Sequence, residues 1–247
     1  MENICIIGLG NMGKAIFEIL KKKKTLKVIG CERGDDVNKA LKNCDAFVVA
    51  VKPQDFGKLC SSIKIDLSQK LAISIMAGMS IKSIADGLHV EKVVRVMPNL
   101  PLRIKKALSG WFANEKVTSA EKKFVKNVFS EFGSEVEVDK EEKINMILSL
   151  SACGPAYFFK LTEILNNVAV KYGFTEEEAR KISESTFVGA ALLLEDSKES
   201  AASLREKVTS KGGTTKAALD SMDSNNIDKI VIEGIESARR RAEELNK

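Results

Sequence analysis

An α/β domain on a mostly parallel, doubly wound sheet, followed by an all-α domain, is the fold class this 247-residue chain predicts. Three observations predict it. The first 140 or so residues alternate short, continuously apolar, β-rich runs with amphipathic stretches, as parallel strands covered on both faces do. A glycine-rich turn follows the first of those runs. After about Asp139 no good strand appears, and the remaining segments read as helix. A hydrophobic share of 44% and a charged share of 30% are a globular balance that excludes an intrinsically disordered chain.

In chain order, Asn3–Ile7 predicts the first strand. Asn11–Lys23 predicts the first helix, through Met12, Ala15, Ile16, Ile19 and Leu20. Further strands are expected at Leu26–Cys31, Ala46–Val51, Leu71–Ile75, Val93–Met97, Ala107–Phe112 and Glu135–Val138. Helices are expected between them at Asp35–Lys42, Asp55–Ile63, Ile81–Gly87 and Thr118–Phe132. The composition switch puts the domain boundary at 142/143, giving domains 1–142 and 143–247. The second holds expected helices at Ile144–Ser151, Pro155–Tyr172, Glu176–Asp196, Ala201–Val208, Thr215–Met222 and Ile227–Leu245. Leu161–Val170 and Phe187–Leu194 are apolar around much of their circumference. That predicts burial against a second copy, a homodimer; a bundle packed on the first domain is the alternative.

The net charge is only +5, and the basic runs Lys21–Lys24 and Arg239–Arg241 are short. With 6% aromatics and no aromatic-basic interleaving, no nucleic-acid partner is expected. Apolar stretches such as Ile4–Leu9 fall well short of the ~20 residues of a membrane span, and no secretory signal opens the sequence. No membrane association and a cytoplasmic location are therefore expected. Cys5, Cys31, Cys44, Cys60 and Cys153 show no CxxC spacing and read as reduced structural thiols. With His89 as the single histidine, no metal site is expected.

The chemistry sits in a few motifs. Gly8-Leu9-Gly10-Asn11-Met12-Gly13 links the first strand to the first helix, which makes a GxGxxG specific for a Rossmann-like dinucleotide-binding domain. Gly8 allows the tight turn, Gly10 lets the backbone approach a pyrophosphate, and Gly13 lets helix and strand pack closely. Glu32 lies some twenty residues beyond Gly13, where an acid can bond a ribose 2′-hydroxyl; Arg33 beside it suits a 2′-phosphate. Both NADPH and NADH thus stay open. Ala50-Val51-Lys52-Pro53-Gln54 and Met76-Ala77-Gly78 close the third and fourth strands at the ligand-facing rim. Arg95–Pro101 closes the fifth, with prolines aiming Asn99. In the helical half, Val208–Thr215 places Ser210, Gly212, Gly213, Thr214 and Thr215 just before a helix, an anion nest suited to a small carboxylate.

Together these segments, with Ser149–Tyr157, resemble the pyrroline-5-carboxylate reductase family over almost the whole chain, most specifically at Val208–Thr215. The resemblance implies an NAD(P)H-dependent reduction of a cyclic imino acid to L-proline. It implies that Ile7–Met12, Ala50–Pro53 and Met76–Gly78 line the dinucleotide, with Arg33 near the ribose. Ser210, Gly212, Gly213 and Thr214 would hold the substrate carboxylate, and Thr215 would be the catalytic residue, its hydroxyl reaching the ring nitrogen. It further implies helical domains that interlock as a homodimer, often assembled into decamers. This chain has Leu100 and Lys211 where the family commonly has threonine and proline. A β-hydroxyacid dehydrogenase would need a catalytic lysine, and the flanks of Lys160 do not fit that motif. A non-catalytic dinucleotide sensor would have no use for the Ser210–Thr215 nest.

Overall fold

A computed structural model describes residues 1–245. Seven strands form one sheet: β1 (Asn3–Ile7), β2 (Lys27–Cys31), β3 (Ala46–Val49), β4 (Leu71–Ser74), β5 (Lys92–Pro98), β6 (Ala107–Ala113) and β7 (Gly133–Glu137). Their spatial order is β2-β1-β3-β4-β5-β6-β7, and every pair is parallel except β5–β6. The exception has a simple cause. The link from Pro98 to Ala107 holds only the short 3-10 turn Leu100–Ile104, and a parallel return needs a crossover of a dozen residues or more.

The helices of this part are α1 (Asn11–Leu20), α2 (Val37–Lys42), α3 (Phe56–Ser62), α4 (Ile81–Leu88), α5 (Ser119–Phe129) and α6 (Glu142–Ile147). Alternate strand residues feed two cores. Ile4, Ile6, Val48 and Val96 pack with Ile16 of α1 and Phe129 of α5. Cys5, Ile7, Phe47 and Val93 pack on the other face with Leu41 of α2 and Ile84 of α4. The first helix ends at Leu20, earlier than expected, because Lys21–Lys24 leave it as a turn.

Beyond α6 the chain widens into a π-helical turn, Leu148–Ala152. Then follow α7 (Gly154–Lys171), α8 (Glu176–Asp196), α9 (Ala201–Lys207), α10 (Thr214–Ser224) and α11 (Ile227–Leu245). By packing, the chain divides into one unit of residues 1–155 with 236–247, and a second of 156–235. This division falls later than 142/143 because α6 lies on the sheet: a Cβ at Gly110 of β6 would sit 2.3 Å from Ile147, so only glycine admits the helix there.

The second unit has almost no interior. Within 156–235 only Ala169, Ala179 and Ser183 are buried, while Phe159, Leu161, Val188 and Leu192 are each at least half exposed. Glu142–Lys171 is long and apolar enough, by composition, to cross a membrane.

The N-terminus of α5 is held by specific bonds. Thr118 and Glu121 form a reciprocal capping box, and the Glu121 carboxylate also takes the Lys92 ammonium at 2.8 Å. Burial alone would raise the Glu121 carboxyl. The Lys92 ion pair and the Thr118 donors outweigh it and hold it below its ordinary 4.5. A carboxylate depressed in the folded state stabilises above its unfolded pKa, and that contribution is lost as pH falls through the lower folded value. Glu121→Ala should therefore cost about 3 kcal/mol at pH 7, and the difference from the parent should shrink steadily below about pH 4.5 in urea titrations.

Candidate active site

The sheet order reverses at β1, whose neighbours are β2 on one side and β3 on the other. In open α/β sheets the crevice at such a switch point, beyond the carboxyl ends of the strands, takes the ligand. The expected residues of the first unit converge on this rim. Gly8 N–H donates to the Cys31 carbonyl at 2.9 Å and Ala50 N–H to the Ile7 carbonyl at 2.8 Å, so the β1, β2 and β3 ends are joined by backbone.

Sterics fix the phosphate loop. Gly8 has φ +90°, a region that favours glycine, and a Cβ there would meet Ala50 backbone at 3.0 Å. A Cβ on Gly13 would lie 2.0 Å from the Gly8 carbonyl oxygen. Gly10 differs: nothing lies within 4 Å of where its Cβ would be. That open space faces the start of α1, whose N-cap, Gly10, supplies no side-chain bond. Five other helices are closed by a side chain, from Asp36, Ser80, Thr118, Thr175 and Ser200. Free first-turn N–H groups, the helix dipole and an empty cradle over Gly10 fit the pyrophosphate of a dinucleotide.

Around this loop, Glu32 and Arg33 follow β2 and are exposed; Arg33 reaches Asp55 only loosely, at 3.8 Å. Lys52 and Pro53 are exposed at the start of a 3-10 turn after β3. Beyond β4, Met76 is buried, its N–H held by the Ser74 hydroxyl at 3.2 Å, while Ala77 is exposed. Gly78 has φ +69° and packs under the last turn of α11, where a Cβ would lie 2.7 Å from that of Leu245. No sequence signal pointed to Leu245. Asn99 is held from both ends: its amide donates to the Ser151 hydroxyl at 3.1 Å and accepts from Leu108 N–H at 3.0 Å.

The second expected site lies by itself in the second unit. Gly213 is the N-cap of α10 and, like Gly10, brings no side-chain cap. Gly212 takes φ +72°, and Gly213 N–H bonds the Ser210 carbonyl at 3.0 Å. A Cβ on Gly213 would strike the Ser210 hydroxyl oxygen at 2.3 Å. The tight turn so formed leaves Ser210, Lys211, Gly212 and Thr214 exposed at an open helix start, with Thr215 half-buried behind them.

The remaining polar groups offer little chemistry. Burial pushes the Cys5 thiol up to about 12 and that of Cys44 to about 11, and raises Cys31. All five cysteines are free. His89 is exposed at the C-terminal end of α4, away from the rim where that helix starts. Among the described residues no group of three or more His, Cys, Asp or Glu is placed to hold a metal ion.

A glycine-rich turn at the switch point of a doubly wound sheet, followed by a helical region with little interior of its own, is the architecture of a dinucleotide-binding protein with a helical second part. Residues 141–245 match the family model for pyrroline-5-carboxylate reductase dimerisation, and 34–78 match that for NADP oxidoreductase, coenzyme F420-dependent. The pyrroline-5-carboxylate reductase of Pasteurella multocida is 32% identical, covering 100% of this chain and 98% of its own. That of Vibrio alginolyticus is 33% identical with the same coverage. Among solved structures, Plasmodium falciparum pyrroline carboxylate reductase with NADP bound has a TM-score of 0.89 at 27% identity, covering 100% of this chain and 98% of its own. The Coxiella burnetii enzyme has 0.87 at 32%, covering 100% and 99%. The chain belongs to the pyrroline-5-carboxylate reductase family. Its helical half, residues 141–245, matches the family's dimerisation region.

The two glycines of the loop make separable predictions. Gly10→Ala should melt at the parent temperature yet bind NADPH at least tenfold more weakly, because its methyl enters only the cradle. Gly13→Ala should lose both nucleotide binding and several degrees of melting temperature, because a backbone oxygen must move. NADPH fluorescence titration and thermal unfolding read the two.

Proposed function

We infer that the protein is an NAD(P)H-dependent pyrroline-5-carboxylate reductase, reducing the cyclic imine of 1-pyrroline-5-carboxylate to L-proline, the last step of proline biosynthesis. The observation that carries this is the open phosphate loop at the switch point, in a chain related along its full length to named reductases. When bound, NAD(P)H supplies the hydride that adds to the imine carbon.

The residues of this chain do the rest. Gly8–Gly13 hold the pyrophosphate through backbone N–H groups, while Ala50–Pro53 and Met76–Gly78 line the cofactor along the rim. Glu32 and Arg33 meet the adenosine ribose; Arg33, exposed and only loosely paired, is free to take a 2′-phosphate. Ser210, Gly212, Gly213 and Thr214 bind the substrate carboxylate at the start of α10, where dipole and free N–H groups favour an anion. Lys211 adds a positive charge at that nest. The Thr215 hydroxyl orients the ring nitrogen, which keeps its proton while the carbon takes the hydride, so no strong acid or base is needed. Positioning supplies most of the rate.

We also propose that the dimer forms through the apolar faces of α7 and α8. A cytoplasmic location fits the five free thiols.

Absorbance decay of NADPH that requires 1-pyrroline-5-carboxylate is the direct test. Thr215→Ala should lower kcat at least tenfold with an unchanged melting temperature, and Arg33→Ala should raise the KM for NADPH several-fold while leaving that for NADH alone. No imine-dependent decay from protein that binds either cofactor overturns the reading.

Leu192→Asp should yield a monomer with reduced helical content and no activity. Light scattering after size exclusion reads its mass, and on the parent it separates a dimer from the decamer the family resemblance implies.

A further inference from the structure

The mechanism above leaves the buried charge of Arg95 unused. Arg95 stands in β5, beneath α6, and is 2% exposed. A guanidinium so placed needs partners, and α6 brings them. Arg95 Nη1 donates to Glu141 Oε1 at 2.7 Å and Nη2 donates to Asn145 Oδ1 at 3.2 Å. The same Glu141 oxygen accepts the Ile81 N–H, the first of α4, at 2.8 Å. One carboxylate oxygen thus joins three segments. Through Ile81 it holds the far end of the turn that carries Met76–Gly78. Through Arg95 it holds β5, four residues before Asn99. On its own chain it begins α6, which leads through Ser151 into α7.

The second bond completes a clamp. Asn99 donates to Ser151, so β5 and the segment 141–152 are tied at two points, one before the rim and one on it. The geometry points to Glu141 as a positioning residue of the reductase: it sets the rim turn 76–80 against β5 and the entry to the dimerisation region. This rests on the reading of 76–78 as part of the rim that lines the cofactor. Hydride transfer is steeply sensitive to such placement, since a displacement of about 1 Å can cost a hundredfold in rate, whereas the pyrophosphate grip at Gly8–Gly13 lies elsewhere. Loss of the clamp therefore lowers kcat and leaves cofactor affinity in place.

Two variants test this without leaving a lone buried charge. The double variant Arg95→Leu, Glu141→Leu removes both ions together, an exchange that buried pairs often tolerate. Ile81→Pro removes the N–H bonded to Glu141 and also trims the buried Ile81 side chain, so Ile81→Ala, which keeps the N–H, is the reference for the side-chain loss. Proline is well suited to a first helical position, and Ser80 before it already has the extended backbone that proline requires (φ −76°, ψ 156°). Each variant is measured beside the parent for melting temperature, NADPH dissociation constant by fluorescence, and kcat with 1-pyrroline-5-carboxylate. The expected result is a kcat at least tenfold lower in both, with NADPH affinity within threefold of the parent. If the double variant fails to fold, Ile81→Pro carries the test alone. A kcat within twofold of the parent in a folded variant overturns the proposal, as does a loss of kcat that follows a matching loss of NADPH binding. A parent protein that binds NADPH and leaves the imine untouched refutes the functional reading, and this proposal with it.

Discussion

No side chain fits where the start of the first helix crosses the turn after the first strand, and the nucleotide half is arranged around that fact. With 2.0 Å between the would-be Gly13 Cβ and the Gly8 carbonyl, α1 sits as close to β1 as backbone permits. That closeness aims the uncapped end of α1 over the point where the sheet order reverses. The ends of β2 and β3 are bonded to the same turn, so the loops after them inherit its position. The open space here is mostly a matter of atoms that are missing: no Cβ on three glycines, and no capping side chain at Gly10.

The helical half follows a different logic. A folded segment of eighty residues with three buried ones has no core to offset the entropy of ordering it. Its helices are set by local signals, such as the Thr175–Glu178 capping box that opens α8 and the glycine left-handed at 212 before α10. Residues 141–245 match the family's dimerisation region, and the proposed dimer would supply the packing these helices lack. The proposed anion nest thus lies on elements with little interior of their own, while the proposed cofactor rim is borne by a sheet with cores on both faces.

Much of this was legible from sequence because it is local. Continuous apolar runs gave the strands, and the glycine spacing gave the phosphate loop with its strand before and helix after. The turn at Ser210–Thr215 was readable as a run of small residues ahead of a helix. What escaped depends on distant pairings. Nothing near Arg95 says that its partners stand 46 and 50 residues on, at Glu141 and Asn145. Nor does anything near Gly78 name Leu245. The domain boundary read from composition marks where strands stop, but α6 still belongs by packing to the sheet, admitted by Gly110. The antiparallel β6 was within reach, since its connector is too short for a crossover.

The scarcity of buried residues in 156–235 also bears on how subunits trade partners. A subunit with a sound interior can leave its neighbour and wait, intact, for another. If the dimer forms through α7 and α8 as proposed, departure strips those helices of most of what they pack on, so the free subunit is a high-energy species and a rare one. Two populations of this protein, folded apart and then mixed, will stay sorted by origin for long periods. Chains made side by side on neighbouring ribosomes will pair at random. A defective copy does its damage at birth, by being built into assemblies with sound ones, and not afterwards.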